Sequence, residues 1–139
     1  MRPLPLALML GLSLAGAALA ADLSVKDTMK MVVDPGSSTI FAVGGDVDPG
    51  NGPDAAKVPP ARWEEALKAA QALKAVAANL TGAQKQPGAE WTKAAADFAT
   101  LTADAEKAAV TKDGAAFSKA ANDLADTCTA CHSKYKKQG

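Results

Sequence analysis

Between Trp91 and Ala108 the apolar positions recur every three or four residues without a miss: Trp91, Ala94, Phe98, Leu101, Ala105 and Ala108. A run of that length and period has one ready solution, an amphipathic α-helix with a single apolar stripe. The same spacing lies on either side of it. Upstream, Ala66, Ala70, Leu73, Ala77 and Leu80 mark a helix from about Arg62 to Leu80, opened after Pro59 and Pro60 and stopped by Gly82. Downstream, Phe117, Ala121, Leu124, Cys128, Cys131 and Tyr135 mark another, starting near Asp113. Leu23 to Val33 offers a fourth, with Ser24 as cap and Asp27 in its first turn. The predicted fold is all-α, an antiparallel four-helix bundle. Its 33 alanines and its aromatic content of only 4% suit closely packed helices better than β-sheet. Bulk must then come from Trp63, Trp91, Phe98 and Phe117. At Asp34, Pro35 and Gly36 the first helix is expected to break or kink, with Ser37 to Val43 resuming for a turn or two. The Gly- and Pro-rich stretch from Gly44 to Pro60 reads as an irregular loop.

The N-terminus reads as an address. Arg2 gives a positive start, Leu4 to Leu14 is apolar, and Ala18, Leu19 and Ala20 form a small-x-small cleavage pattern. The expectation is a secretory signal over 1–20, export to a periplasm, and one mature domain over 21–139. The apolar run is shorter than the roughly 20 residues a membrane-spanning helix needs, and no later segment approaches that length. Fifteen basic residues balance fifteen acidic ones, and loss of Arg2 leaves fourteen against fifteen. Nucleic-acid binding lacks its basic footprint, and long-range electrostatic steering should be weak.

Chemistry concentrates in five positions. The chain's two cysteines and one histidine all fall in Cys128, Thr129, Ala130, Cys131, His132. That is C-x-x-C-H, the attachment pattern of haem c: two thiols form thioethers with the two vinyl groups of one porphyrin, and the adjacent imidazole becomes the proximal iron ligand. Competing uses of the same residues are weaker. Structural zinc needs four ligands and the chain offers three. A thioredoxin-type pair needs a βαβ context and a helix start, whereas this one ends a helix. A disulfide across three residues closes almost no loop. Export agrees with the motif, because covalent haem attachment of this kind takes place outside the cytoplasm.

The motif's position near the C-terminus, on the last helix of an expected bundle and followed by Ser133, Lys134, Tyr135 and Lys136, resembles the class II c-type cytochromes, the cytochrome c′ family. The resemblance spans the mature chain in helix order, and its sharp part is Cys128 to Lys136. It implies one haem carried on the C-terminal helix, with iron near the first helix, and a propionate near Lys136. Many family members pair through their first two helices, which leaves a homodimer open.

The sixth ligand separates the functional readings. His132 is the only histidine, so a second imidazole is excluded within one chain. Met29 and Met31 are the only methionines after the signal, both on the first helix, which faces the distal side in the resembled family. Met29 shares a face with Val25, Val32 and Val33, while Met31 is turned about 200° away, so Met29 is the favoured distal ligand, with Met31 or neither as alternatives. His and Met ligation describes an electron carrier working with other periplasmic redox proteins. An open distal site describes a five-coordinate binder of nitric oxide or similar gases. A haem-bearing subunit of a larger redox complex is a third reading. No distal histidine exists to act as acid and base, so enzymatic turnover is not expected. Lys134, Lys136 and Lys137 could guide docking to an acidic partner or simply complement the helix dipole. Asp46, Asp48, Asn51 and Asp54 resemble a calcium loop only superficially, since Gly50, Asn51 and Lys57 occupy positions that need other residues.

Overall fold

The structure is a computed structural model that describes residues 23–52, 57–82 and 88–136. The signal segment expected over 1–20, and with it Asp54 and Lys137, lies outside the described residues. Among those described there is no strand, and the elements in order are α1 (Val25–Thr28), a π turn (Met29–Val33), α2 (Asp34–Asp46), a 3-10 turn (Pro49–Asn51), α3 (Pro60–Thr81), α4 (Ala89–Thr111) and α5 (Gly114–Tyr135). The bundle is all-α, as its periodicity predicts.

Three of the helices begin at a local device that satisfies or removes one of their first amides. Ser24 accepts from the Asp27 amide at 3.1 Å, Pro60 occupies the first turn of α3, and Asp113 accepts from the Ala116 amide at 3.0 Å. Lys112, at φ 54°, takes the left-handed conformation that ends α4, and the Asp113 amide then reaches back to the Ala108 carbonyl at 2.9 Å. The turn into α5 is therefore only two residues long.

Of the break or kink expected at Pro35, the break does not occur. α1, the π turn and α2 run on as one helical column, because the wider turn absorbs the proline. Pro35 has no amide hydrogen to donate to the Met31 carbonyl, and its ring would crowd that carbonyl in a regular α-helix. In the π turn the Asp34 amide instead donates to the Met29 carbonyl, five residues back. The Gly- and Pro-rich loop is also shorter than expected, since α2 continues to Asp46. Its polar side chains serve the turn: Asp48 accepts from the Gly50 amide at 2.8 Å and Asn51 donates to the Gly45 carbonyl at 2.6 Å.

Contacts close the four helical columns into a ring in which α2 packs on α3, α3 on α4, α4 on α5 and α5 back on α2. Neighbours are antiparallel. Lys74 pairs with Glu106 at 2.5 Å while Leu80 accepts from Trp91, so α3 and α4 run opposite ways. Gly36 abuts Leu73 while Arg62 pairs with Asp46, which fixes α2 against α3. Two glycines permit the closest approaches: a Cβ on Gly36 would lie 2.7 Å from Leu73 Cδ2, and one on Gly44 only 2.6 Å from Ala121 Cβ.

The core runs the length of the bundle through Ile40, Leu73, Phe117 and Leu124, all fully buried. Trp63 and Phe117 meet edge to face at one end, with centroids 5.7 Å apart. Trp91 and Tyr135 do the same at the other end, 5.1 Å apart.

Candidate functional site

The Trp91 end holds the chemistry. α5 carries Phe117, Ala121 and Leu124 into the core, and the same stripe continues as Cys128, Cys131 and Tyr135 where the core runs out, each of them half-buried. Three- and four-residue spacings put Cys128, Cys131 and His132 on neighbouring positions of one helix face. His132 itself is exposed.

Across from them lies an apolar cavity of about 40 Å³ that Cys128, Cys131 and His132 line together with Met29, Leu80 and Phe98. Met29, predicted as the counterpart of His132, is thus brought to the same cavity. Met31 is not: its side chain is 63% exposed, on the outer face of the bundle. The sequence reading of the two methionines agrees with this placement, although the helix that carries them is not the regular one assumed.

Trp91 and Tyr135 hold the mouth. The Trp91 indole donates to the Leu80 carbonyl at 2.7 Å, tying the start of α4 to the end of α3. Tyr135 stands edge-on to the indole, and Lys134 pairs with Glu90 at the surface, so the last turn of α5 is fastened to α4. Lys134 is thereby engaged within its own bundle, which favours the local role for that lysine over docking.

Burial pushes the Cys128 thiol above its ordinary range, with the neighbouring Cys131 adding to the effect, and burial does the same for Cys131. Both cysteines are free. They are held as neutral thiols at neutral pH, poor spontaneous nucleophiles that need an activated partner. Among the described residues no three His, Cys, Asp or Glu side chains converge to hold a bare metal ion.

Thr28 was not singled out by its sequence. It is fully buried beside Met29, and its hydroxyl has no hydrogen-bond partner among the described residues. A buried, unpaired hydroxyl costs about 1–3 kcal/mol. A helical count could not reveal it, because the π turn changes the phase of everything before it.

Compared with models of protein families, with curated proteins and with solved structures, the chain has no match in any of the three. No helix among the described residues is long and apolar enough to cross a membrane.

Proposed function

We propose that the protein is an exported one-electron carrier with a single haem c attached through Cys128 and Cys131, with His132 and Met29 as the iron's axial ligands. The observation that carries the reading is the meeting of Met29 with Cys128, Cys131 and His132 around one apolar cavity. The donor set fits a tethered haem: two thiols one helical turn apart, an imidazole next to them, and a thioether on the facing helix. The cavity must open to receive it, since about 40 Å³ is well below the roughly 300–1,000 Å³ of typical ligand clefts. The half-buried Cys128 and Cys131 and the exposed His132 form the outer part of its wall.

When bound, the group supplies a one-electron iron couple, and methionine ligation raises its potential. The chain's own residues do the rest. Val33, Leu80 and Phe98 exclude water from the site, which lowers the local dielectric. The Trp91 tie to Leu80 holds α4 to α3 and the Tyr135 contact holds the end of α5 against α4, limiting movement when charge changes. The same apolar wall supports a second reading, a binder of nitric oxide or carbon monoxide, if Met29 leaves the iron open.

Absorption spectra of the exported protein separate the two. The expected result is a low-spin ferric spectrum with a weak far-red sulfur-to-iron band, retained in Met31→Ala, lost in Met29→Ala, and indifferent to carbon monoxide in the wild type. A high-spin spectrum that shifts readily with carbon monoxide supports the gas-binding reading, and absence of covalent haem overturns both.

A further inference from the structure

We infer that the π turn at Met29–Val33 is the device that aims Met29 at α5, making the turn's extra residue a positioning element for the proposed distal ligand. Its functional meaning rests on the reading of Met29 as a ligand, while the aiming itself stands on packing.

The phase of α2 is fixed by contacts on two flanks. Counting about 100° per residue from the buried Ile40, Gly36 falls about 40° to one side and Gly44 about 40° to the other. Gly36 touches Leu73 of α3, and Gly44 touches Ala121 of α5, so the two flanks face two different helices. Both approaches are too tight for α2 to rotate freely. Any irregularity upstream must therefore be expressed in α1.

If the column were a regular α-helix from end to end, Met29 would fall about 20° to the α3 flank, in line with Val33 and Ile40, and Thr28 would fall about 120° from the core direction. The burial pattern excludes that arrangement. Thr28 is fully buried, Met29 is half-buried, and Lys26 and Asp27 are exposed. A π turn holds one residue more than an α turn, so each residue before it takes the place its successor would have had. Thr28 then occupies the place of residue 29 in the core line, and Met29 occupies that of residue 30, about 80° to the α5 flank. Cys128, Cys131 and His132 are on that flank, and Met29 lines the cavity with them.

Thr28 identifies the cost of the arrangement. Its hydroxyl is buried without a partner among the described residues because the turn that sends Met29 toward α5 necessarily sends residue 28 into the core. Pro35 holds the turn open, since a regular turn would direct the Met31 carbonyl at a nitrogen that carries no hydrogen. Pro35 is exposed and Met31 is on the outer face, so that carbonyl faces water.

The test is methionine oxidation of the exported full-length protein by hydrogen peroxide, read by mass spectrometry. In the wild type Met31 should oxidise several-fold faster than Met29. Deleting Lys30 in a Pro35→Ala background, where the turn can close to a regular α-helix, leaves the direction of Met29 unchanged, so the order should persist. Deleting Val32 as well turns Met29 outward by about a further 100°, and its oxidation rate should approach that of wild-type Met31. Loss of Met29 protection in the single deletion, or its persistence in the double deletion, overturns the inference. Should the variants fail to fold, nuclear Overhauser contacts of the wild-type Met29 methyl decide: contacts to Cys128 support the aiming, and contacts to α3 alone overturn it. The far-red band tests the ligand reading separately. Protected Met29 without that band leaves the aiming intact and removes the ligation.

Discussion

The two ends of the bundle use the same aromatic device to different depths. At one end Trp63 meets a fully buried Phe117, Val47 is buried beside the start of α5, and a Cβ on Gly114 would come within 3.0 Å of the Val47 carbonyl. At the other end Trp91 meets a half-buried Tyr135, and the α5 stripe passes through two half-buried cysteines into an exposed histidine. One end is finished by its own side chains. The other leaves reactive groups around an apolar cleft, where native packing would normally place bulk. A chain that can close one end so tightly has the means to close both, and the contrast marks the looser end as the candidate site.

The contrast can be broken most directly by truncating one aromatic at each end. Phe117→Ala should cost about 3–5 kcal/mol in denaturant unfolding, as large cavities in a core do. Tyr135→Ala should cost far less, and equal losses would abolish the distinction between the ends. Next in size is the test of the glycine contacts that fix α2. Gly44→Ala should destabilise by about 1–3 kcal/mol, because the added methyl meets the Cβ of Ala121, which cannot rotate away. Gly36→Ala should cost less, since Leu73 Cδ2 is the end of a movable side chain. A smaller effect of opposite sign is expected at the open end: Thr28→Val keeps the shape, removes the unpaired hydroxyl and should raise stability by about 1 kcal/mol in the same assay.

The smallest effect is the pH response of the thiols. In protein prepared without haem, alkylation of Cys128 and Cys131 should lag behind that of the unfolded chain at mildly alkaline pH, because burial raises both thiols. The sign for stability follows. The neutral thiols favour the folded state below the ordinary thiol range, and this contribution is lost as pH rises through the elevated folded values. Alkylation as fast in the folded as in the unfolded protein would remove the case for burial at this end.

Much of this was legible because α3, α4 and α5 are regular. Their stripes place Trp91, Phe98, Phe117 and Leu124 in the core, and the continuation of the α5 stripe puts Cys128, Cys131 and His132 at its end. The spacing of the motif needs no tertiary information. The first column was harder to read for a physical reason. Pro35 signals a break, yet a proline can also be absorbed by widening the preceding turn, and nothing local distinguishes the outcomes. The choice depends on the tight approaches of Gly36 to α3 and Gly44 to α5, which are tertiary. Hence Met29 was identified from its face on a regular helix, while Thr28, which takes the centre of that face, was missed.

The tryptophans at opposite ends also make the bundle self-reporting. The indole of Trp91 lines the cavity, while that of Trp63 is packed against Phe117 at the far end. With no other tryptophan in the chain, Trp63→Phe and Trp91→Phe each leave a single emitter at a known depth. Fluorescence can then time the arrival of a light-absorbing group at one end and the melting of the other, in the same molecule and without an added label.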